Sequence, residues 1–182
     1  MARILCFSGS TSSTSINQAL VSYAATLLPD HDTHIIDLRD YLAPIYSIDL
    51  EKEKGIPPMI QRLIEHFQQY DAFLISTPEH NGLMTAHMKN TLDWLSRAEK
   101  GVMGYKPVFL MSTSPGKRGA KSSLEHTARI LGYLGAKVNG TYSLGSFYDN
   151  VDRENGFYMT DECEQKKLEE LLRNWERDSG LV

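Results

Sequence analysis

The chain has 182 residues, of which 41% are hydrophobic and 23% charged, with 19 Lys+Arg against 23 Asp+Glu for a formal net charge of −4. That length fits about one domain with a core of its own, expected here over residues 1–182. The mild acidity argues against a general nucleic-acid binder, and no apolar run reaches the ~18 residues of a membrane span.

Apolar runs alternate with amphipathic stretches along the chain. Arg3 to Phe7 predicts a first strand, with Cys6 buried in it. Ile16, Leu20, Ala24, Leu27 and Leu28 fall at helical spacing, and Pro29-Asp30 ends that helix. Thr33 to Leu38 is a second short run. Pro57 opens a helix that buries Met59, Ile60, Leu63, Ile64 and Phe67. Asp71 to Ser76 predicts a third strand, and Thr85 to Arg97 a helix with Met88, Leu92 and Leu95 on one face. Lys106 to Met111 is a fourth strand, Lys121 to Leu134 a helix, and Ala136 to Leu144 a fifth strand. A last helix, Glu164 to Arg177, buries Leu168, Leu171, Leu172 and Trp175.

Repeated strand–helix units predict an α/β fold, a parallel sheet covered by helices on both faces. Five strands with right-handed crossovers close most simply as the doubly wound order 2-1-3-4-5. Ligands in such sheets bind at the carboxyl ends of the strands, where the order reverses. Three loops therefore matter: those after Phe7, Thr77 and Ser112. Two cysteines exclude a disulfide scaffold and a Cys-rich zinc site, and no metal site is expected. The first apolar run is too short for a secretory signal, so a cytoplasmic location is expected.

The first loop, Ser8-Gly9-Ser10-Thr11-Ser12-Ser13-Thr14-Ser15, carries seven hydroxyls in eight residues. It leads into a helix, whose free N–H groups and dipole attract anions. Capping by Ser15 explains one or two hydroxyls, not seven. A monophosphate is the natural guest. The triphosphatase loop G-x-x-x-x-G-K-[ST] and the dinucleotide fingerprint G-x-G-x-x-G are both absent after the first strand. The strand ends Phe7-Ser8 and Thr77-Pro78 also lack the acidic residues of a phospho-receiver.

Thr77-Pro78-Glu79-His80-Asn81-Gly82 follows the third strand, and Asn81-Gly82 is a tight-turn pair. The third loop, Ser112 to Ala120, is small and Gly-rich. Two such bends let a flat ring approach the main chain closely. With a phosphate loop on the same sheet edge, they point to a mononucleotide pocket.

These loops resemble those of the NADPH-dependent FMN reductase family of flavodoxin-like proteins. The family's G-S-x-R-x-x-S-x-N stands here as Gly9-Ser10-Thr11-Ser12-Ser13-Thr14-Ser15-Ile16-Asn17. Its P-E-Y-N stands as Pro78-Glu79-His80-Asn81, and its L-K-N-x-x-D-W as Met88-Lys89-Asn90-Thr91-Leu92-Asp93-Trp94. Its S-P-G-x-x-G-G stands as Ser114-Pro115-Gly116-Lys117-Arg118-Gly119-Ala120.

The resemblance implies an FMN-dependent oxidoreductase. NADPH or NADH supplies hydride to the flavin, and electrons pass on to a small acceptor: a flavin, quinone, azo compound or metal oxyanion. It assigns the FMN phosphate to Ser10, Ser12, Ser15, Ile16 and Asn17. It places Pro78, Glu79, His80, Asn81 and Gly82 along the ring, and Ser114, Gly116 and Gly119 on the pyrimidine side. The cofactor carries the hard chemistry, so no catalytic acid, base or nucleophile is expected. The resemblance implies a homodimer or homotetramer, with Trp94 a candidate either for a contact between subunits or for the core.

Three departures stand out. Ser12 replaces the family's phosphate-binding arginine, and His80 replaces its tyrosine. Met84-Thr85-Ala86-His87 replaces Pro-Gly before the helix, with no evident partner for His87. Lys89 and Asp93 are spaced to pair on the helix. Lys117 and Arg118 are adjacent cations suited to the 2′-phosphate of NADPH or to a solvated surface. The link Gly145 to Glu162 exceeds ordinary loop length. Phe147, Tyr148, Phe157 and Tyr158 there are candidates to cover a neighbour, Asn155-Gly156 to turn a hairpin, and Asp149, Asp152 and Glu154 do not fit a calcium loop. Two other readings share the fold: a flavodoxin-type electron carrier, and a flavin-free binding protein.

Overall fold

The computed structural model describes residues 1–152 and 157–182. The predicted Asn155-Gly156 turn and Glu154 lie outside the described residues. Five parallel strands form one sheet in the order β2-β1-β3-β4-β5. They are β1 (Arg3–Ser8), β2 (Asp32–Ile35), β3 (Ala72–Ser76), β4 (Pro107–Thr113) and β5 (Lys137–Leu144). The register sets Ser8 beside Ser76 and Ser76 beside Met111, so β1 and β3 end together while β4 runs two residues farther, to Thr113.

The strands alternate between two apolar layers, because successive side chains point to opposite faces. Leu5, Phe7, Phe73, Ile75, Val108 and Leu110 face one layer. That layer is completed by α3 (Pro58–Gln68), α4 (Ala86–Ala98) and α5 (Lys121–Tyr133). Ile4, Cys6, Ala72, Leu74, Phe109 and Met111 face the other, beneath α1 (Ile16–Thr26) and α7 (Glu162–Asp178). Both sheet faces are covered, which is why the strands read as unbroken apolar runs. Burial also pushes the Cys6 thiol up to about 12.

The predicted order and the five long helices are present. Met59 and Leu171, expected to be buried, are only partly so. Two elements were not foreseen: a 3₁₀ turn at Leu38–Tyr41 and α2 (Ile48–Lys54). Helix α2 buries no residue, so it leaves no apolar stripe to read. The long link contains the short helix α6 (Phe147–Asn150) and an antiparallel pair, β6 (Val151–Asp152) with β7 (Tyr158–Met159).

Several side chains sit otherwise than the sequence predicts. Phe147 is fully buried in this chain's own core, and Phe157 stacks on Tyr23 with ring centroids 4.7 Å apart. Trp94 takes the core position, one of the two expected for it: it is fully buried, with Nε1 donating to the Pro44 carbonyl at 2.7 Å. His87 does have a partner, the Leu38 carbonyl 3.1 Å from Nε2, because the 3₁₀ turn packs beside α4. Lys89 and Asp93 pair at 2.6 Å as their spacing requires. No helix among the described residues is long and apolar enough to cross a membrane.

Candidate functional site

The loops after β1, β3 and β4 enclose a cleft of about 260 Å³. Its wall brings together Ser10, Ser12, Ser15, Ile16, Asn17, Pro78, Glu79, His80 and Ser114 from the sequence-derived set. Thr14, Thr113, Pro115 and Tyr148 join them.

The first loop is a chain of hydroxyl turns. The N–H groups of Ser10, Ser12 and Thr14 each donate to the hydroxyl two residues back, on Ser8, Ser10 and Ser12, at 3.2 Å. Ser15 Oγ accepts from the Gln18 N–H at 3.1 Å and so caps α1. Each of these hydroxyls accepts a backbone N–H, and those of Ser12 and Thr14 also lie 3.3 Å apart. The Ile16 and Asn17 N–H groups have no protein partner among the described residues and point from the first helical turn. The result is a neutral, donor-rich cradle at the positive end of α1.

Gly9 is required by a close approach. A Cβ there would lie 2.2 Å from Met88 Sδ on α4. Thr85 fixes the same junction: its hydroxyl donates to the Gly9 carbonyl at 2.6 Å and caps α4 through the Met88 N–H at 3.1 Å. The unfamiliar helix entry thus ties the second loop directly to the first.

Asn17 binds the sheet rather than opening freely into the cleft. Its Oδ1 accepts from Ser76 Oγ at 2.8 Å and from the Thr113 N–H at 3.1 Å. Its Nδ2 donates to the Thr113 carbonyl at 3.1 Å. One buried amide therefore clamps the ends of β3 and β4 under the helix terminus.

In the second loop, His80 and Leu83 exchange backbone hydrogen bonds of 2.8 and 3.2 Å around Asn81-Gly82. Both turn residues have positive φ, 54° and 84°, as a mirror-image two-residue turn demands. Asn81 and Gly82, expected along the ring, form the tip of this turn and are not part of the cleft wall. Glu79 reaches across to accept the Ser123 N–H on α5 at 3.1 Å, while Ser123 Oγ donates to the Pro78 carbonyl at 2.8 Å. Those bonds turn one Glu79 carboxylate oxygen toward α5. His80 is exposed, and its imidazole makes no hydrogen bond among the described residues.

Gly116 and Gly119 also fall outside the wall. The Gly116 carbonyl is spent inside the third loop, accepting from Ser114 Oγ at 3.1 Å and from the Ser146 N–H at 3.0 Å. Gly119 packs under β5, where a Cβ would lie 2.4 Å from Ser143 Oγ. Ser114 and Pro115 alone carry that loop into the cleft. Thr113 could have been found as the last residue of the fourth strand. Tyr148, 66% exposed, comes from the long link, and no local signal marks it.

No cluster of three or more His, Cys, Asp or Glu suited to a metal occurs among the described residues. The site offers hydroxyl and backbone donors, a flat main-chain floor and one free imidazole.

Comparison with known proteins agrees with this geometry. The family model for NADPH-dependent FMN reductase matches residues 2–149. A quinone reductase of Escherichia coli is 35% identical over 115 residues, covering 62% of this chain and 61% of that protein. An NAD(P)H-dependent FMN reductase of Pseudomonas aeruginosa is 33% identical over 133 residues, covering 72% and 70%. A solved flavoenzyme NAD(P)H:(acceptor) oxidoreductase from Paracoccus denitrificans, 24% identical, shares the fold with a TM-score of 0.74 over 96% of this chain and 95% of its own.

Proposed function

Because the chain belongs to the NADPH-dependent FMN reductase family, we propose that it is an FMN-dependent NAD(P)H oxidoreductase acting on a small acceptor such as a quinone, azo compound, free flavin or metal oxyanion. The observation that carries this reading is the cradle at the start of α1, where hydroxyls and free helix N–H groups converge. It fits a phosphate monoester, and the small-residue floor beside it fits a flat ring.

In this reading Ser10, Ser12, Thr14 and Ser15 hold the phosphate with the Ile16 and Asn17 N–H groups. Pro78, Glu79 and His80 line the ring through their main chain, opposite Thr113, Ser114 and Pro115. Bound FMN supplies hydride acceptance from a nicotinamide and electron delivery to the acceptor. The protein binds and orients, and the His80 imidazole is placed to donate a hydrogen bond to ring or nicotinamide.

The reading includes a cytoplasmic location, supported by two free cysteines. It includes a homodimer or homotetramer, supported by Leu42, Ile45 and Ile48, which stand 62%, 86% and 53% exposed along one segment. Sedimentation velocity reports that assembly.

The central test is anaerobic titration. FMN is expected to bind at micromolar concentration, with quenched flavin fluorescence, and to bleach on adding NADPH or NADH. Failure to bind at tens of micromolar overturns the flavin reading. Binding without bleaching makes the protein an electron carrier instead.

A further inference from the structure

A second pocket, of about 270 Å³, lies behind the third loop. It shares a wall with the cleft. The Phe147 N–H donates to the Ser114 carbonyl at 3.1 Å, and the Ser146 N–H to the Gly116 carbonyl at 3.0 Å. Ser114, Pro115 and Tyr148 face the cleft, while Lys117, Arg118, Ser146 and Asn150 face the pocket. The partition is closely packed. A Cβ at Gly145 would lie 2.3 Å from the Lys117 carbonyl oxygen, so the two loops touch backbone to backbone.

The pocket concentrates positive charge in a chain of net charge −4. Among the described residues, Lys117, Arg118, Lys121 and Lys167 line it, against the single carboxylate of Glu164. Lys167 pairs with Glu164 at 3.0 Å. Lys117, Arg118 and Lys121 form no ion pair among the described residues. Their arrangement also opposes the local dipole. Lys121 is the first residue of α5, whose first turn has no acidic residue and whose N-cap, Ala120, supplies no side chain. A cation there is disfavoured by its cationic neighbours, while the Glu79 carboxylate on the Ser123 N–H offsets part of the helix end's positive charge. A dianion in the pocket relieves the repulsion among the cations.

We propose that this pocket binds the 2′-phosphate of NADPH, with Arg118 and Lys121 as its principal contacts. The identity of the dianion rests on the nicotinamide reading of the adjoining cleft. The pocket's charge does not. A guanidinium and two ammonium groups suit a phosphate monoester, which offers three acceptor oxygens and about two negative charges. NADH carries only a hydroxyl at that position, so the pocket makes the protein prefer NADPH.

The test compares wild type with Arg118→Ala, Lys121→Gln and the double variant, all exposed substitutions. By titration calorimetry on the whole protein, wild type is expected to bind 2′,5′-ADP at least tenfold tighter than 5′-AMP. The double variant is expected to lose that difference, and its NADPH-to-NADH ratio of kcat/KM to fall about tenfold or more. Equal wild-type affinity for the two nucleotides overturns the proposal, as does a ratio within twofold of wild type in the double variant. An FMN titration of the same preparations separates the two readings. Protein that binds FMN but keeps its NADPH preference in the double variant overturns the pocket alone. Protein that takes up no FMN yet binds 2′,5′-ADP through Arg118 and Lys121 overturns the flavin reading and upholds the pocket.

Discussion

The Glu79 carboxylate accepts the Ser123 backbone N–H at 3.1 Å, so the loop after β3 caps a helix that begins more than forty residues later. Helix α5 starts from Ala120 in the left-handed region, with φ 62° and no capping side chain of its own. Glu79 supplies both the missing acceptor and a negative charge at the positive helix end. Glu79→Ala is expected to lower stability by about 0.5–2 kcal/mol, the usual cost of a lost cap. Glu79→Gln keeps an acceptor and is expected to recover part of the loss. Denaturant unfolding measures both. Because Glu79 also fixes the cleft floor, FMN affinity should fall in the same order.

Asn17 is expected to be more costly. Its amide serves the Thr113 N–H, the Thr113 carbonyl and the Ser76 hydroxyl, and the residue is 3% exposed. Asn17→Ala strands those three buried groups. Each lost partner costs on the order of 1 kcal/mol or more, so the total should be roughly 2–4 kcal/mol. A loss below about 0.5 kcal/mol in denaturant unfolding would show that the clamp does not matter.

The strand order was readable because its signal is local. Each buried strand is an apolar run of its own, and each long helix except α2 carries an apolar stripe. The hydroxyl loop was readable for the same reason: Ser10 to Ser15 are consecutive, and their chemistry does not depend on distant partners. The clamp was not. Asn17 meets Thr113 across ninety-six positions, and Glu79 meets Ser123 across forty-four. The resemblance implies Asn17 as a phosphate ligand and Gly119 as a ring contact. Sequence could not show that the Asn17 side chain is bound to the ends of β3 and β4, or that Gly119 packs under β5. The basic pocket is intermediate: Lys117 and Arg118 were visible as a pair, but Lys167 reaches them only through the return of α7.

His66 gives the fold an acid-side weakness. Its Nδ1 is buried without a hydrogen-bond partner among the described residues. The imidazole is held below its ordinary value, first by burial, then by His34 and Arg62, with Glu65 opposing. Tyr41 also packs against the ring, with centroids 5.9 Å apart. Below about 6.5 the unfolded chain binds this proton more readily than the folded one, so stability rises with pH in that window. The contribution is fully present above the unfolded value and declines as pH falls toward the folded one. Unfolding curves at pH values of about 7.5 and 5.5 should show the loss, and His66→Leu should show a smaller one. An identical pH dependence in the variant would remove His66 as the cause.

Ser12 sets the final expectation, because it stands on the cleft wall where the family carries arginine. Its hydroxyl accepts the Thr14 N–H at 3.2 Å and lies 3.3 Å from Thr14 Oγ1, so here it shapes the turn as well as lining the cradle. A charged donor to a phosphate contributes about 1.5–3 kcal/mol, against about 0.5–1.5 kcal/mol for the neutral turn bond it would displace. The difference favours arginine by about 1 kcal/mol or more in this exposed loop, roughly a fivefold to tenfold change in affinity. Ser12→Arg is therefore expected to tighten FMN by about that factor and to make its binding fall more steeply with salt. Riboflavin, which lacks the phosphate, should gain nothing. Fluorescence titrations with both flavins at low and high salt give the answer. Equal gains for FMN and riboflavin would place the phosphate elsewhere than in the cradle of α1.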